Sequence, residues 1–235
     1  MLVISVTSAS PCAGASSLCA ALASHAARSA GASRVLCADA SDGPLGASRL
    51  FGRLEDDGGS RGNDKGDGGR GLLDSLCQSS CGVCVLRVPG DHLEGFCNIT
   101  RSLPFDLVFI DSGFRLGEAQ EVAGRSSDMT LCVTLAEGNC LARLDAAVPA
   151  ERERFVINRF DSRSHSMYDC RLFLSSSALA PRLLRTTIPF DEAVLASTLS
   201  LKPYPLSSPF SAAADAASGV LAEILSDCRE GKEGR

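Results

Sequence analysis

At 235 residues the chain suits one large domain or two small ones, and its formal net charge of −5 argues against nucleic acid as the main partner. Aromatic residues make up 5% and Trp is absent, so Ala, Leu, Val and Cys must fill the core. Eleven Cys would signal a disulfide framework in a small secreted chain. Here the thiols sit mostly inside apolar runs (Cys19, Cys37, Cys84, Cys132), where a free Cys behaves as a small buried hydrophobe. The N-terminus lacks the basic region and apolar length of a signal peptide, and no apolar run approaches the ~20 residues that span a bilayer. The expectation is a cytoplasmic protein with reduced thiols.

Leu2–Thr7 reads as a first strand and Ser16–Ala30, rich in Ala and Leu, as a helix stopped by Gly31. Arg34–Ala40 is a second, buried strand. Glu55–Gly71 contains no apolar side chain and is read as a flexible surface loop inside one domain. Gly71–Cys77 suggests a short helix. Val83–Val88, Asp106–Asp111, Asp128–Leu135, Phe155–Asn158 and Leu184–Ile188 read as strands with helices between them. Ser211–Cys228 closes the domain, which spans residues 1–228, and residues 229–235 form a disordered tail. Strands hydrophobic at every position are covered on both faces, and their alternation with helices implies a mostly parallel α/β sheet.

Chemistry is expected where strands end. The turn after strand one runs Thr7-Ser8-Ala9-Ser10-Pro11-Cys12-Ala13-Gly14-Ala15-Ser16-Ser17 and leads into a helix. Strand, small-residue loop and helix N-terminus make the frame of a phosphate cradle. A P-loop adds Gly residues, a Lys and a Ser/Thr. Here Gly14 and the Ser16–Ser17 pair are present, and no Lys precedes Lys65. Asp39 and Asp111 end two strands, where carboxylates face the ligand crevice of open α/β sheets. Each could equally be a helix cap or turn residue. Asn158-Arg159 ends another strand and could present an amide to a base edge.

These segments together resemble the deviant-Walker ATPases of the MinD/ParA (SIMIBI) P-loop class. Their loop, Lys-Gly-Gly-x-Gly-Lys-Thr-Thr, aligns with Ser10 through Ser17, so Ser10 and Ala15 stand where that class has its two lysines. The resemblance implies Ser16, and with it Asp39, for Mg²⁺, Ser17 for a phosphate, Asp111 as the Walker-B-like carboxylate, and Asn158, Arg159 and Pro189 beside the base. These residues, with Gly14, form the expected nucleotide site if ATP or ADP is retained. No residue is assigned a catalytic role.

The string Gly138-Asn139-Cys140-Leu141-Ala142-Arg143-Leu144, the strand to Asn158, and Asp191-Glu192-Ala193 are similar to the BcsQ family of bacterial cellulose biosynthesis. This likeness covers roughly 105–225. It implies a scaffold or regulatory pseudo-ATPase of cellulose (exopolysaccharide) secretion. Such a protein would act as a homodimer or heteromer, bind partner proteins of the secretion complex, and be recruited to the inner membrane through them. Two alternatives remain: an active ATP-dependent dimerisation switch, or a degenerate MinD-like localisation protein of another polar system.

Cys77, Cys81 and Cys84 have the spacing of an iron–sulfur motif, and Cys97 could complete a set. However, Cys84 falls inside a strand, so a cluster is not expected. His25, His92 and His165 lack ligand-spaced neighbours.

Overall fold

The computed structural model describes residues 1–29, 34–41, 46–52, 75–114, 118–146 and 151–233. The Gly/Asp-rich segment at 55–71, Gly31, and residues 234–235 lie outside them.

Strand β1 (Leu2–Ser8) feeds helix α1 (Ala15–Ser29), and β2 (Val35–Asp39) is followed by a 3-10 turn at Arg49–Phe51. Next come β3 (Cys77–Gln78), β4 (Val83–Arg87), α2 (Leu93–Thr100), β5 (Leu107–Phe114) and α3 (Glu118–Ser126). The second half adds β6 (Met129–Leu135), α4 (Gly138–Ala146), β7 (Glu153–Asn158) and α5 (His165–Ser176). It ends with α6 (Glu192–Ser200), the short α7 (Tyr204–Ser207) and α8 (Ala212–Glu233). Among the described residues the strands form one sheet in the order β3-β4-β2-β5-β1-β6-β7. Every pairing is parallel except β3 with β4. The mostly parallel α/β architecture therefore stands as read from the sequence.

Alternation within each strand splits the core between the two faces of the sheet. Ile4, Val6, Phe109, Leu131 and Val156 pack with Leu18 and Leu22 of α1 and with Ala217, Val220 and Ile224 of α8. On the opposite face Val3, Leu36, Leu86, Val108 and Ile110 meet Leu93 and Phe96 of α2 and Ala123 of α3. Cys132, Phe155 and Ile157 extend that coverage under α4 and α5. Cys19, Cys37 and Cys132 are fully buried, while Cys84 is half-buried. Ser24 of α1 is fully buried and satisfies its hydroxyl on Ala20 O (2.8 Å).

Three expectations change. The helix at Gly71–Cys77 is absent from its described part. Cys77–Gln78 instead pairs antiparallel with β4, because Ser79 donates from both backbone and hydroxyl to Val83 O (2.8 Å each) and closes a tight turn. Leu184–Ile188 is not a ladder strand. Leu184 N and Ile188 N donate to Phe155 O and Ile157 O (2.8 Å each), but the amides of Arg185 and Thr186 go to the Glu223 carboxylate of α8 (2.8 Å each). The segment thus follows β7 with half its bonds diverted. Finally, α8 runs on as helix to Glu233, past the point where the sequence suggested fraying.

Candidate functional site

β1 and β5 sit side by side at the middle of the sheet, so their tips open onto the start of α1. In the connecting loop Cys12 and Gly14 adopt left-handed backbone (φ 59° and 95°). At Gly14 a side chain is also sterically excluded, because a Cβ would overlap the Asn158 amide. The turn keeps the shape of a phosphate cradle with a Cys in one of its strained positions. The first amides of α1 have no partners within the helix and favour an anion there.

A cavity of about 730 Å³ opens beside this turn. That lies within the size range of small-molecule sites. Gly14, Ala15, Ser16 and Ser17 line it, together with Ser41, Gly46, Arg49 and Leu50. Phe114, Leu195 and Leu201 add apolar surface, and Arg159 stands at the rim in left-handed backbone (φ 54°).

Asp39 and Asp111 lie fully buried beneath this cavity and pair directly across β2 and β5. Asp111 accepts from Ala47 N (3.0 Å), from Gly113 N (3.3 Å) and from the Ser16 hydroxyl. Its carboxyl is pushed up to about 6, chiefly by burial and next by the charge of Asp39, against the pull of those donors. Asp39 is more heavily engaged. Its Oδ1 accepts from Ser41 N (3.1 Å) and Ser41 Oγ (2.6 Å). Its Oδ2 accepts from Ser48 N (3.0 Å), from Ser48 Oγ, and from Arg87 (3.4 Å). A carboxylate offers about four lone-pair positions. Five donors from the described residues therefore leave Asp39 none for a metal.

The sequence-based site thus comes together in part. Gly14, Ser16, Ser17 and Arg159 line the cavity, while Asp39 and Asp111 are buried behind its lining and do not themselves line it. Asn158 is buried, and its amide acts as a strut: Nδ2 donates to Ala13 O (2.7 Å) and Oδ1 accepts from Arg159 N (2.9 Å). Pro189 bridges to Phe160 and does not line the cavity. Ser10 accepts from the Cys140 thiol (3.3 Å). Sequence reasoning missed Arg49, Ser41, Gly46 and Ser48. The only sequence trace of them is a run of small and hydroxyl residues after Asp39.

A nucleotide fits this cavity by volume, by the bent loop and by the helix terminus. A carboxylate-held Mg²⁺ does not fit, because Asp39 is spent. Among the described residues no group of three or more His, Cys, Asp or Glu side chains converges on a metal position, Cys77, Cys81, Cys84 and Cys97 included.

No curated protein matches the chain significantly in sequence. Solved structures do match in fold. The MinC:MinD cell division complex of Aquifex aeolicus superposes with TM-score 0.74 at 19% identity, over 96% of this chain and 96% of that one. The septum site-determining protein MinD of Pyrococcus horikoshii, complexed with Mg-ADP, gives 0.71 at 21%, covering 95% of each chain. A ParA family ATPase of Chlorobium tepidum gives 0.69 at 19%, over 94% of this chain and 98% of that one. The fold is that of the MinD/ParA P-loop ATPases. The model of the cellulose biosynthesis protein BcsQ family matches residues 90–224, more than half the chain, and takes in Asp111, Asn158 and Arg159. The chain belongs to the BcsQ family.

Proposed function

We propose that this chain is a non-hydrolysing, MinD/ParA-like scaffold of a bacterial cellulose (exopolysaccharide) secretion system. It works at the cytoplasmic side of the inner membrane, to which partner proteins recruit it. The observation that carries the pseudo-ATPase reading is at the cradle: Ala15 stands where the fold's lysine would reach the phosphates, and Asp39 has no lone pair left for a metal or an attacking water. Cations and positioned water supply most of the barrier lowering in phosphoryl transfer, typically 10³-fold or more. Family membership supports the cellulose role. The scaffold role draws on apolar side chains that the fold leaves outside: Tyr168, Leu172 and Phe173 on one side of α5, each more than half exposed, and Leu199 and Phe210.

Purified protein is expected to turn over ATP far below the ordinary enzymatic range of about 1 s⁻¹ and above. A steady-state phosphate-release rate of that order overturns the pseudo-ATPase reading. Deleting the gene in its host is expected to remove the cellulose that Calcofluor stains, and re-expression to restore it. Unchanged staining overturns the cellulose role. A nucleotide-dependent dimerisation switch is the second reading, favoured by the Ser16–Asp111 contact beneath the cavity. It requires ATP to raise the mass seen in sedimentation, and Asp111→Ala to abolish that rise.

A further inference from the structure

The cavity holds a cation that the phosphate loop lacks. Arg49 follows directly on a segment fastened to the two buried acids. Gly46 lies against Asp39, where a Cβ would overlap both carboxylate oxygens and Ser41 Oγ. Ala47 N reaches Asp111, and Ser48 binds Asp39 through backbone and hydroxyl. Behind Arg49, Leu50 is buried in the core, and Gly52 closes the turn with φ 76° and a 2.9 Å bond to Arg49 O. The backbone on both sides of Arg49 is therefore held where Arg49 lines the same cavity as Gly14–Ser17.

We propose that Arg49 supplies the phosphate-neutralising charge of this site, in place of a lysine on the loop. Asp39 is then the anchor of the segment that delivers it, not a metal ligand. The proposal rests on the reading that the cavity takes a nucleotide. The ligand class is a nucleoside diphosphate. The planar guanidinium forks onto two phosphate oxygens, the amides of α1 take the rest, and Phe114, Leu195 and Leu201 offer apolar surface to the base. Because the cation comes from the protein and Asp39 is fully occupied, binding does not need Mg²⁺. With Asp39 spent on its own segment it positions no attacking water, so the same arrangement binds without hydrolysing.

The full chain is titrated with fluorescent mant-ADP, with Mg²⁺ and separately with EDTA, alongside Arg49→Ala, Arg49→Gln, Arg49→Lys and Gly14→Val. Thermal unfolding confirms that each variant is folded. Expected are wild-type binding changed less than about twofold by EDTA, a weakening of about tenfold or more in the Ala and Gln variants, and partial recovery in the Lys variant. Arg49→Ala and Arg49→Gln within twofold of a wild type that binds, with Gly14→Val abolishing binding, overturn the Arg49 assignment and leave the site reading standing. Wild type that does not bind, or binding that survives Gly14→Val, overturns the site reading and the Arg49 assignment with it. Loss of binding in EDTA overturns the anchor role of Asp39.

Discussion

Cys12 holds a left-handed backbone with an exposed side chain, where related loops use glycine. An L-residue there costs about 1–2 kcal/mol, partly offset because Gly gains more freedom when unfolded. Cys12→Gly is therefore expected to raise stability by roughly 0.5–1 kcal/mol, read as a shift of the urea midpoint at unchanged slope. Gly46→Ala acts in the opposite sense. The added methyl must displace the Asp39 carboxylate or Ser41, so the bonds that hold the Gly46–Ser48 segment break together. A loss of about 2–4 kcal/mol is expected, and a midpoint within 0.5 kcal/mol of wild type would show that the segment is not fastened as described. At this scale Asp39, Asp111 and the missing lysines were legible, because strand-end carboxylates and a lysine-free loop are visible in sequence. The partners of Asp39 were not. They are hydroxyls and amides two and nine residues downstream, with the Arg87 guanidinium from a neighbouring strand, and only the fold brings them together. Asn158 shows the same limit, since its strand-end position was readable but its bond to Ala13 depends on how two distant loops meet.

Elements were legible where burial on both faces wrote itself into unbroken apolar runs, as in β1, β2, β5 and β6. They were not legible where an outside group competes for the backbone. Leu184–Ile188 has strand composition, yet Glu223 of α8 takes the amides of Arg185 and Thr186 and also binds the Thr186 hydroxyl. This one carboxylate ties the C-terminal helix to the edge of the sheet, and Arg154 with Asp227 makes a second tie one turn later. Glu223→Ala leaves two amides and a hydroxyl without their acceptor at a partly buried seam. Chemical denaturation should show a cost of about 1–3 kcal/mol, and hydrogen exchange should speed at Arg185 and Thr186 before it speeds in β7. Equal protection in wild type and variant would mean that the segment is held by the β7 bonds alone.

Across the whole molecule, Asp39 and Asp111 belong to different parts of the chain, the first outside and the second inside the region matched by the family model, and the sheet makes them neighbours. In the unfolded chain Asp111 loses its proton near 3.8, whereas in the fold it holds it to about 6. Between those values the native state binds the extra proton, so stability from this group is complete below about 4 and is lost as pH rises through 6. Holding the proton to about 6 instead of 3.8 corresponds to roughly 3 kcal/mol. Carboxylates held by arginines, such as Asp128 with Arg101 and Asp227 with Arg154, do not share this buried acid neighbour and are present in both proteins being compared. The informative quantity is therefore the stability of wild type minus that of Asp111→Ala. Measured by urea unfolding at pH 4.5 and at pH 7.5, it should fall by about 2 kcal/mol toward the higher pH. A difference that stays level or grows would mean that Asp111 is already ionised in the fold at pH 4.5, and that the donors Ser16, Ala47 and Gly113 outweigh its burial.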